Sequence, residues 1–401
     1  MATLGGVNGT VCNAHQYEQS LPSLINPDPS ISCLTHGQSI GLALTAEASF
    51  ISFASVIVVF ILIGVRTLAL RANILRYRKA LPNGDWKLLQ VPTDIYMLSL
   101  FAFDILQAIG GIFDVRWAHN GIVNTGPYCT AQGIIQQIGE LGVGLVTLII
   151  AVHTFVTALW RVGHQARWFA FGVVALTCVF LALWAGIGNG LHKNYEVPTP
   201  YWCWIGPRFK SERLAGEYIW LWIALFASLI MYIPLYFWAE GRLSVDDKKW
   251  YMIRLYKSDE AVEYSQRRAA LGMLFYPLAY SVVVLPLSAA RWSMSNDKKA
   301  PVPSAATFFA VIMFNLSGAI NVLLFLTVRP RLLLFTPPEE HVEPEIELTR
   351  ASNGSGIFPD DTTKYNHSPK QNVGVLGSAF EGSRNSITMS RVSSRQRFED
   401  I

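Results

Sequence analysis

Two carboxylates lie inside long apolar runs of this chain. Asp104 falls about 13 residues into one run and Glu140 about 11 residues into the next, so at 1.5 Å per residue the two would stand at comparable depth in a membrane. An ionisable group at that depth is costly, and it is retained either to hold a polar ligand or cation or to bond neighbouring helices. Asn315 and Asn321 lie in the last apolar run, while Gln132, Gln136 and Gln137 precede Glu140 at helical spacing, amides suited to a hydroxyl-rich or zwitterionic molecule. The ligand-binding candidates are Asp104, Gln136, Glu140 and Asn315, with Trp202 and Trp204 contributed by a loop. The structural alternative for Asp104 and Glu140 is bonding between helices alone. Catalysis is not expected: the chain has no His-Glu-x-x-His helix, no zinc-spaced Cys/His cluster and no Walker loop, so neither an enzyme nor a cofactor or metal is anticipated.

The elements that must position these residues are membrane spans. With 51% hydrophobic and 15% charged residues, the chain lies outside the balance of soluble domains. Seven runs, roughly 40–65, 91–113, 129–160, 168–188, 218–238, 269–290 and 304–328, each reach or exceed the ~20 residues needed to cross a bilayer. The expected fold is all-α: a seven-helix transmembrane bundle over 40–328, an amino-terminal segment over 1–39 and a tail over 329–401. Of the 32 lysines and arginines, 24 fall in alternate gaps and the tail, which places the amino terminus outside and the tail in the cytoplasm. The tail is rich in Ser, Asn, Gly and Pro and is expected to be disordered. Its charge is explained by anionic lipid, without nucleic acid.

Cysteine placement agrees with that orientation. Cys12, Cys33, Cys129 and Cys203 all fall on the proposed outer side, an oxidising compartment, and the pairs Cys129–Cys203 and Cys12–Cys33 are expected. Cys178, inside the fourth span, reads as an unpaired small packing residue. Asn8 begins a glycosylation sequon on the same side, and Ser352, Ser386 and Ser393 follow arginines in the tail as phosphorylation candidates. The Trp202 and Trp204 pair, tied to the third span through Cys203, is expected to form a lid over the bundle mouth.

Pro277 and Pro286 each remove a backbone donor from the sixth span, which should bend and let its inner half hinge. Residues 239–268, which carry seven basic and six acidic residues, read as an amphipathic extension of spans five and six or as a solvated loop on lipid headgroups.

Trp202-Cys203-Trp204-Ile205, Tyr276-Pro277-Leu278-Ala279-Tyr280 with Pro286, Gly318 with Asn321 and Phe325, and Ala151-Val152-His153-Thr154-Phe155 resemble the fungal and slime-mould receptors similar to cyclic-AMP receptors, a group that includes glucose-sensing receptors. The resemblance covers about residues 40 to 328. It implies a G-protein-coupled receptor of the plasma membrane that senses a small nutrient or signal, of the sugar, amino-acid or cyclic-nucleotide class, and activates a heterotrimeric G protein. Tyr276, Pro277, Tyr280, Pro286 and Asn321 would form the switch, and His153, Arg161, Arg267 and Arg268 would meet the G protein. His153 also reads as an interhelical hydrogen-bond partner, and Arg161 as an ordinary positive-inside charge. The third span ends Ala158-Leu159-Trp160-Arg161 where rhodopsin-like receptors have Asp-Arg-Tyr, and the seventh lacks their Asn-Pro-x-x-Tyr and any lysine for a retinal Schiff base. The alternative from another class is a seven-span ion-coupled solute transporter using Asp104 and Glu140. Homodimerisation through membrane faces is open to any such bundle.

Overall fold

A computed structural model describes residues 9–21, 30–77, 92–160, 167–239, 243–246, 249–255, 278–290 and 303–328. After α1 (Ala14–Ser20) and β1 (Ile31–Cys33), the chain enters the long helix α2 (His36–Tyr77). Then come α3 (Pro92–Ile112), α4 (Asp114–Asn120), β2 (Ile122–Asn124), α5 (Pro127–Trp160) and α6 (Arg167–Leu191). A loop carrying β3 (Glu196–Pro198) and β4 (Cys203–Ile205) leads through α7 (Lys210–Arg213) to α8 (Ile219–Ala239). The rest comprises β5 (Leu243–Asp246), β6 (Lys249–Leu255), α9 (Leu278–Ala290), α10 (Ser304–Asn315) and α11 (Ser317–Val328).

Among the described residues six helical stretches are long and apolar enough to cross a membrane, with α9 as a shorter apolar helix. The other half of the expected sixth span, including Tyr276 and Pro277, lies outside the described residues. Polarity is inverted relative to a soluble protein. Large apolar side chains of α6 face outward, with Trp168 84% and Leu176 70% exposed, whereas Asp104, Gln107, Glu140 and Asn315 are buried. Polar groups turned inward and apolar groups turned outward suit a hydrocarbon solvent.

The described residues are mostly helical, as expected, and carry three short antiparallel pairs besides: β1 with β2, β3 with β4 and β5 with β6. The segment 239–268, read as an amphipathic extension of spans five and six or as a solvated loop, carries the β5–β6 ribbon over its described residues 243–246 and 249–255, in register Leu243↔Leu255. Its sequence explains why: Val245, Trp250, Tyr251 and Ile253 are β-branched or aromatic and flank a polar Asp-Asp-Lys-Lys stretch of sequence. Cys178 is unpaired as expected, but it sits exposed on the bundle's outer surface and is not a packing residue.

Helix limits also differ. No Pro or strong turn signal follows Val65, and α2 continues through Arg66, Arg71 and Arg76 to Tyr77. The seventh span is broken at Leu316 (φ −78, ψ −2), whose N–H reaches back 3.1 Å to the Ile312 carbonyl. Pro234 adds a further interruption within α8.

α3 and α5 approach through glycine. A Cβ at Gly139 would fall 2.4 Å from the Gln107 backbone nitrogen, and one at Gly110 would fall 3.1 Å from the Gln136 Cα. Backbones can come this close only where small residues face each other. This crossing brings the Gln107 backbone against Gly139 and the Gln136 backbone against Gly110.

Candidate functional site

Both expected disulfides are present: Cys12–Cys33 with Cα atoms 5.8 Å apart, and Cys129–Cys203 at 5.2 Å. The second pins the β3–β4 hairpin to the first turn of α5. Trp202 and Trp204 are buried at 2% and 3% exposure, and Tyr201 packs on Phe308 of α10 with ring centroids 4.8 Å apart. Trp204 meets Tyr218 edge to face at 5.6 Å and carries the Arg213 guanidinium over its face at 4.6 Å. Arg213 also donates to the Ile205 carbonyl. The hairpin therefore closes this end of the bundle as a lid, where the tryptophan pair was expected.

Gln132 locks the lid to the helices. Its Oε1 accepts from Trp117 Nε1 (2.7 Å) and from the Cys203 backbone N–H (3.2 Å), and its Nε2 donates to Asp114 Oδ1 (2.6 Å). Thr45 on α2 donates to the other Asp114 oxygen at 3.4 Å. One amide thus ties α2, α4, α5 and the lid together. Asp114 was not among the sequence candidates, because it falls one residue past the expected end of the second span and looks there like a loop charge.

Deeper in the bundle a polar seam joins α3 to the broken seventh span. Gln107 Nε2 donates to the Phe314 carbonyl (3.0 Å) and to Ser317 Oγ (3.1 Å). Asn321 Nδ2 donates to both Asp104 oxygens, at 3.2 and 3.0 Å. Asn315 Nδ2 donates to the Thr45 carbonyl on α2 (3.4 Å), and Ser52 Oγ accepts from the Ala319 N–H (3.2 Å). The contact of Gln107 falls at the interruption between α10 and α11, where the Phe314 carbonyl and Ser317 Oγ share one donor. Glu140 accepts from Gln136 one turn earlier on its own helix, at 2.9 Å. Asp104 and Glu140 therefore meet different partners: Asp104 belongs to the seam and Glu140 to the α5 amides.

Below the lid several buried polar atoms have no hydrogen-bond partner: both amide atoms of Gln137, Gln136 Oε1, Gln107 Oε1, Trp202 Nε1 and both oxygens of Glu196. Glu196, on β3, is 2% exposed, and its carboxylate rests on Gly133, where a Cβ would fall 2.3 Å from Oε2. Burial pushes its carboxyl up to about 8, against the opposing pull of Asn189 and Arg213. Sequence reasoning passed over Glu196 because a lone acid in a loop carries no signal of burial. One helical repeat below Gln137, Gly144 faces the hydroxyl of Tyr280, which is likewise unpartnered. Tyr280, Ser228 and Asn321 line a void of about 10 Å³, room for about one water.

A separate groove of about 900 Å³ runs between Gly9–Val11, α2 and α4, lined by His36, Glu47 and His119. It shares no lining residue with the lid or the seam. His153 is partly buried and packs edge to face on Tyr96 of α3, with centroids 5.4 Å apart, inside the bundle. Pro286 lies within α9. Arg161, Arg267, Arg268, Tyr276, Pro277, Asn8, Ser352, Ser386 and Ser393 lie outside the described residues.

These features define a multi-pass helical membrane protein closed at one end by a disulfide-pinned hairpin. No family model matches the chain, and no curated protein matches it. Among solved structures, squid rhodopsin is similar, with a TM-score of 0.47 and 12% identity over 74% of this chain and 79% of that one.

Proposed function

We propose that this protein is a G-protein-coupled receptor for a small extracellular nutrient or signal, with the lidded end outside the cell. The observation that carries the reading is the set of unpartnered buried polar atoms on Gln136 and Gln137 of α5 and on Glu196 and Trp202 of the lid hairpin that packs on that helix. Buried polar groups are normally paired, and a concentration of unmet ones is what a polar ligand would satisfy. Gln136, Glu140, Trp202 and Trp204 then contact or cover the ligand, while Asp104 and Asn315 act one layer deeper, through the seam.

Transmission would use that seam. Tyr280 on α9, Ser228 on α8 and Asn321 on α11 share one small void, so a shift of α9 changes the surroundings of Asn321 and hence of Asp104. Pro286 weakens the helix on which Tyr280 sits. Movement of that helix would open the opposite end of the bundle to a heterotrimeric G protein, which Arg161, Arg267 and Arg268 would contact. Asn8 as a glycan site and Ser352, Ser386 and Ser393 as phosphorylation sites belong to the same proposal, as does a plasma-membrane location.

The test is guanine-nucleotide exchange on a co-reconstituted fungal Gα subunit, across sugars, amino acids, amines and cyclic nucleotides. Ligand-dependent exchange that is lost in Cys203→Ser and in Arg161→Ala is expected. Absence of exchange with every ligand and subunit, together with solute uptake that depends on Asp104 or Glu140, overturns the receptor reading in favour of transport.

A further inference from the structure

The charge of the buried interior is one-sided. Among the described residues, six carboxylates are buried, Asp94, Asp104, Asp114, Glu140, Glu196 and Glu217, and no lysine, arginine or histidine is buried with them. Some of these acids are satisfied within the protein: Asp104 by Asn321, Asp114 by Gln132 and Thr45. Glu196 is held more weakly: it is 2% exposed, neither oxygen has a partner in good hydrogen-bond geometry, and Asn189 and Arg213 pull on it without offsetting its burial.

The position of Glu196 is specific. Its carboxylate lies on Gly133 of α5, where any side chain would collide with it. One turn further along α5 is Gln137, 2% exposed with both amide atoms unpartnered. Trp202, whose indole N–H is also unpartnered, belongs to the same lid hairpin. The nearest cation, Arg213, donates to the Ile205 carbonyl and stacks on Trp204, so its guanidinium is held by the lid.

From this arrangement we infer that the site takes a small molecule bearing a protonated amine, held between Glu196 and Gln137 beneath the tryptophan lid. The inference rests on the receptor reading only in taking this cluster as the ligand's place. Before the amine binds Glu196 holds a proton, which leaves on binding, so that the ammonium group pairs with the resulting carboxylate, the Gln137 carbonyl oxygen accepts a second N–H, and the indole faces attract the cation. A phosphate-bearing ligand such as a cyclic nucleotide would have to share Arg213, the described cation that acts on this site and that the lid already holds, while meeting the Glu196 carboxyl. A neutral sugar could donate hydroxyls to Glu196 and use the amides, but it brings no positive charge to the carboxyl.

The experiment compares amines with alcohols of the same size on the purified full chain: phenethylamine beside 2-phenylethanol, and putrescine beside butane-1,4-diol. Thermal unfolding midpoint reports binding directly, because a ligand of the native state raises it in proportion to RT ln(1 + [L]/Kd). At least one amine is expected to raise the midpoint with an affinity ten or more times that of its alcohol. Glu196→Gln and Gln137→Ala should each weaken that amine at least tenfold, while Gly172→Ala, whose added methyl meets nothing within 4 Å, leaves it unchanged. Equal shifts from amine and alcohol, an amine shift that survives Glu196→Gln, or no shift from any amine at 10 mM overturns the inference, the concentration being on the order of the weakest affinities of such sites. The two proposals fail separately. Amine binding without nucleotide exchange refutes the receptor reading and leaves the ligand class standing, and exchange driven by a sugar or cyclic nucleotide independently of Glu196 does the reverse.

Discussion

Replacing Glu196 with glutamine should change how the protein's stability depends on pH. The carboxyl is 2% exposed, rests against Gly133 and titrates at about 8, well above its ordinary value of 4.5. The folded state therefore holds a proton that the unfolded chain releases between pH 4.5 and 8, and stability falls with rising pH through that window. The contribution is full below pH 4.5 and gone above about 8. At 1.36 kcal/mol per pH unit it amounts to ~4–5 kcal/mol, on the order of 5 °C in midpoint for a chain of this size. Arg213 of α7 and Asn189 of α6 act on the same carboxyl, Gly133 of α5 lies against it, and Tyr195, Glu212 and Glu217 lie close by. The His192–Glu212 pair at 3.2 Å is common to both proteins, so the difference between wild type and Glu196→Gln isolates the one carboxyl. The assay is the apparent melting midpoint at fixed scan rate from pH 4.5 to 8.5. Wild type should lose stability steadily across that range relative to the variant. Parallel profiles would show that Glu196 is solvated or paired in solution, and both the burial argument and its use as an amine anchor would fail.

Other perturbations address the remaining contacts. Gln132→Leu leaves Trp117 Nε1, the Cys203 N–H and Asp114 unmet at once and should cost ~2–4 kcal/mol, read as a lowered melting midpoint and faster reduction of the Cys129–Cys203 disulfide. Gly139→Ala forces a methyl to within 2.4 Å of the Gln107 backbone and should destabilise the bundle by ~1–3 kcal/mol, while Gly172→Ala is neutral in the same melting assay. Asn321→Ala leaves Asp104 without its amide and should lower stability by ~1–3 kcal/mol, and Asp104→Asn in that background should recover part of the loss if the carboxylate is the unmet group.

Periodicity and composition alone determined that this chain is built of membrane-crossing helices, where most of them lie, and which four cysteines pair. Long apolar runs and cysteines confined to alternate gaps are local or topological signals that survive in one dimension. The amides of α5 and the tryptophan lid were legible for the same reason, since helical spacing and a cysteine tether place them without further information. Tertiary structure alone decided what those residues do to one another. The contact of Gln107 with the Phe314 carbonyl, the glycine crossing of α3 and α5, and the burial of Glu196 on Gly133 depend on residues from 26 to 210 positions apart meeting in space. Asp104 and Glu140 look alike in sequence because both are single acids in apolar runs. They differ in the fold because hydrogen-bond partners are assigned by which helix faces which, and that is settled only when the packed bundle chooses its closest approaches.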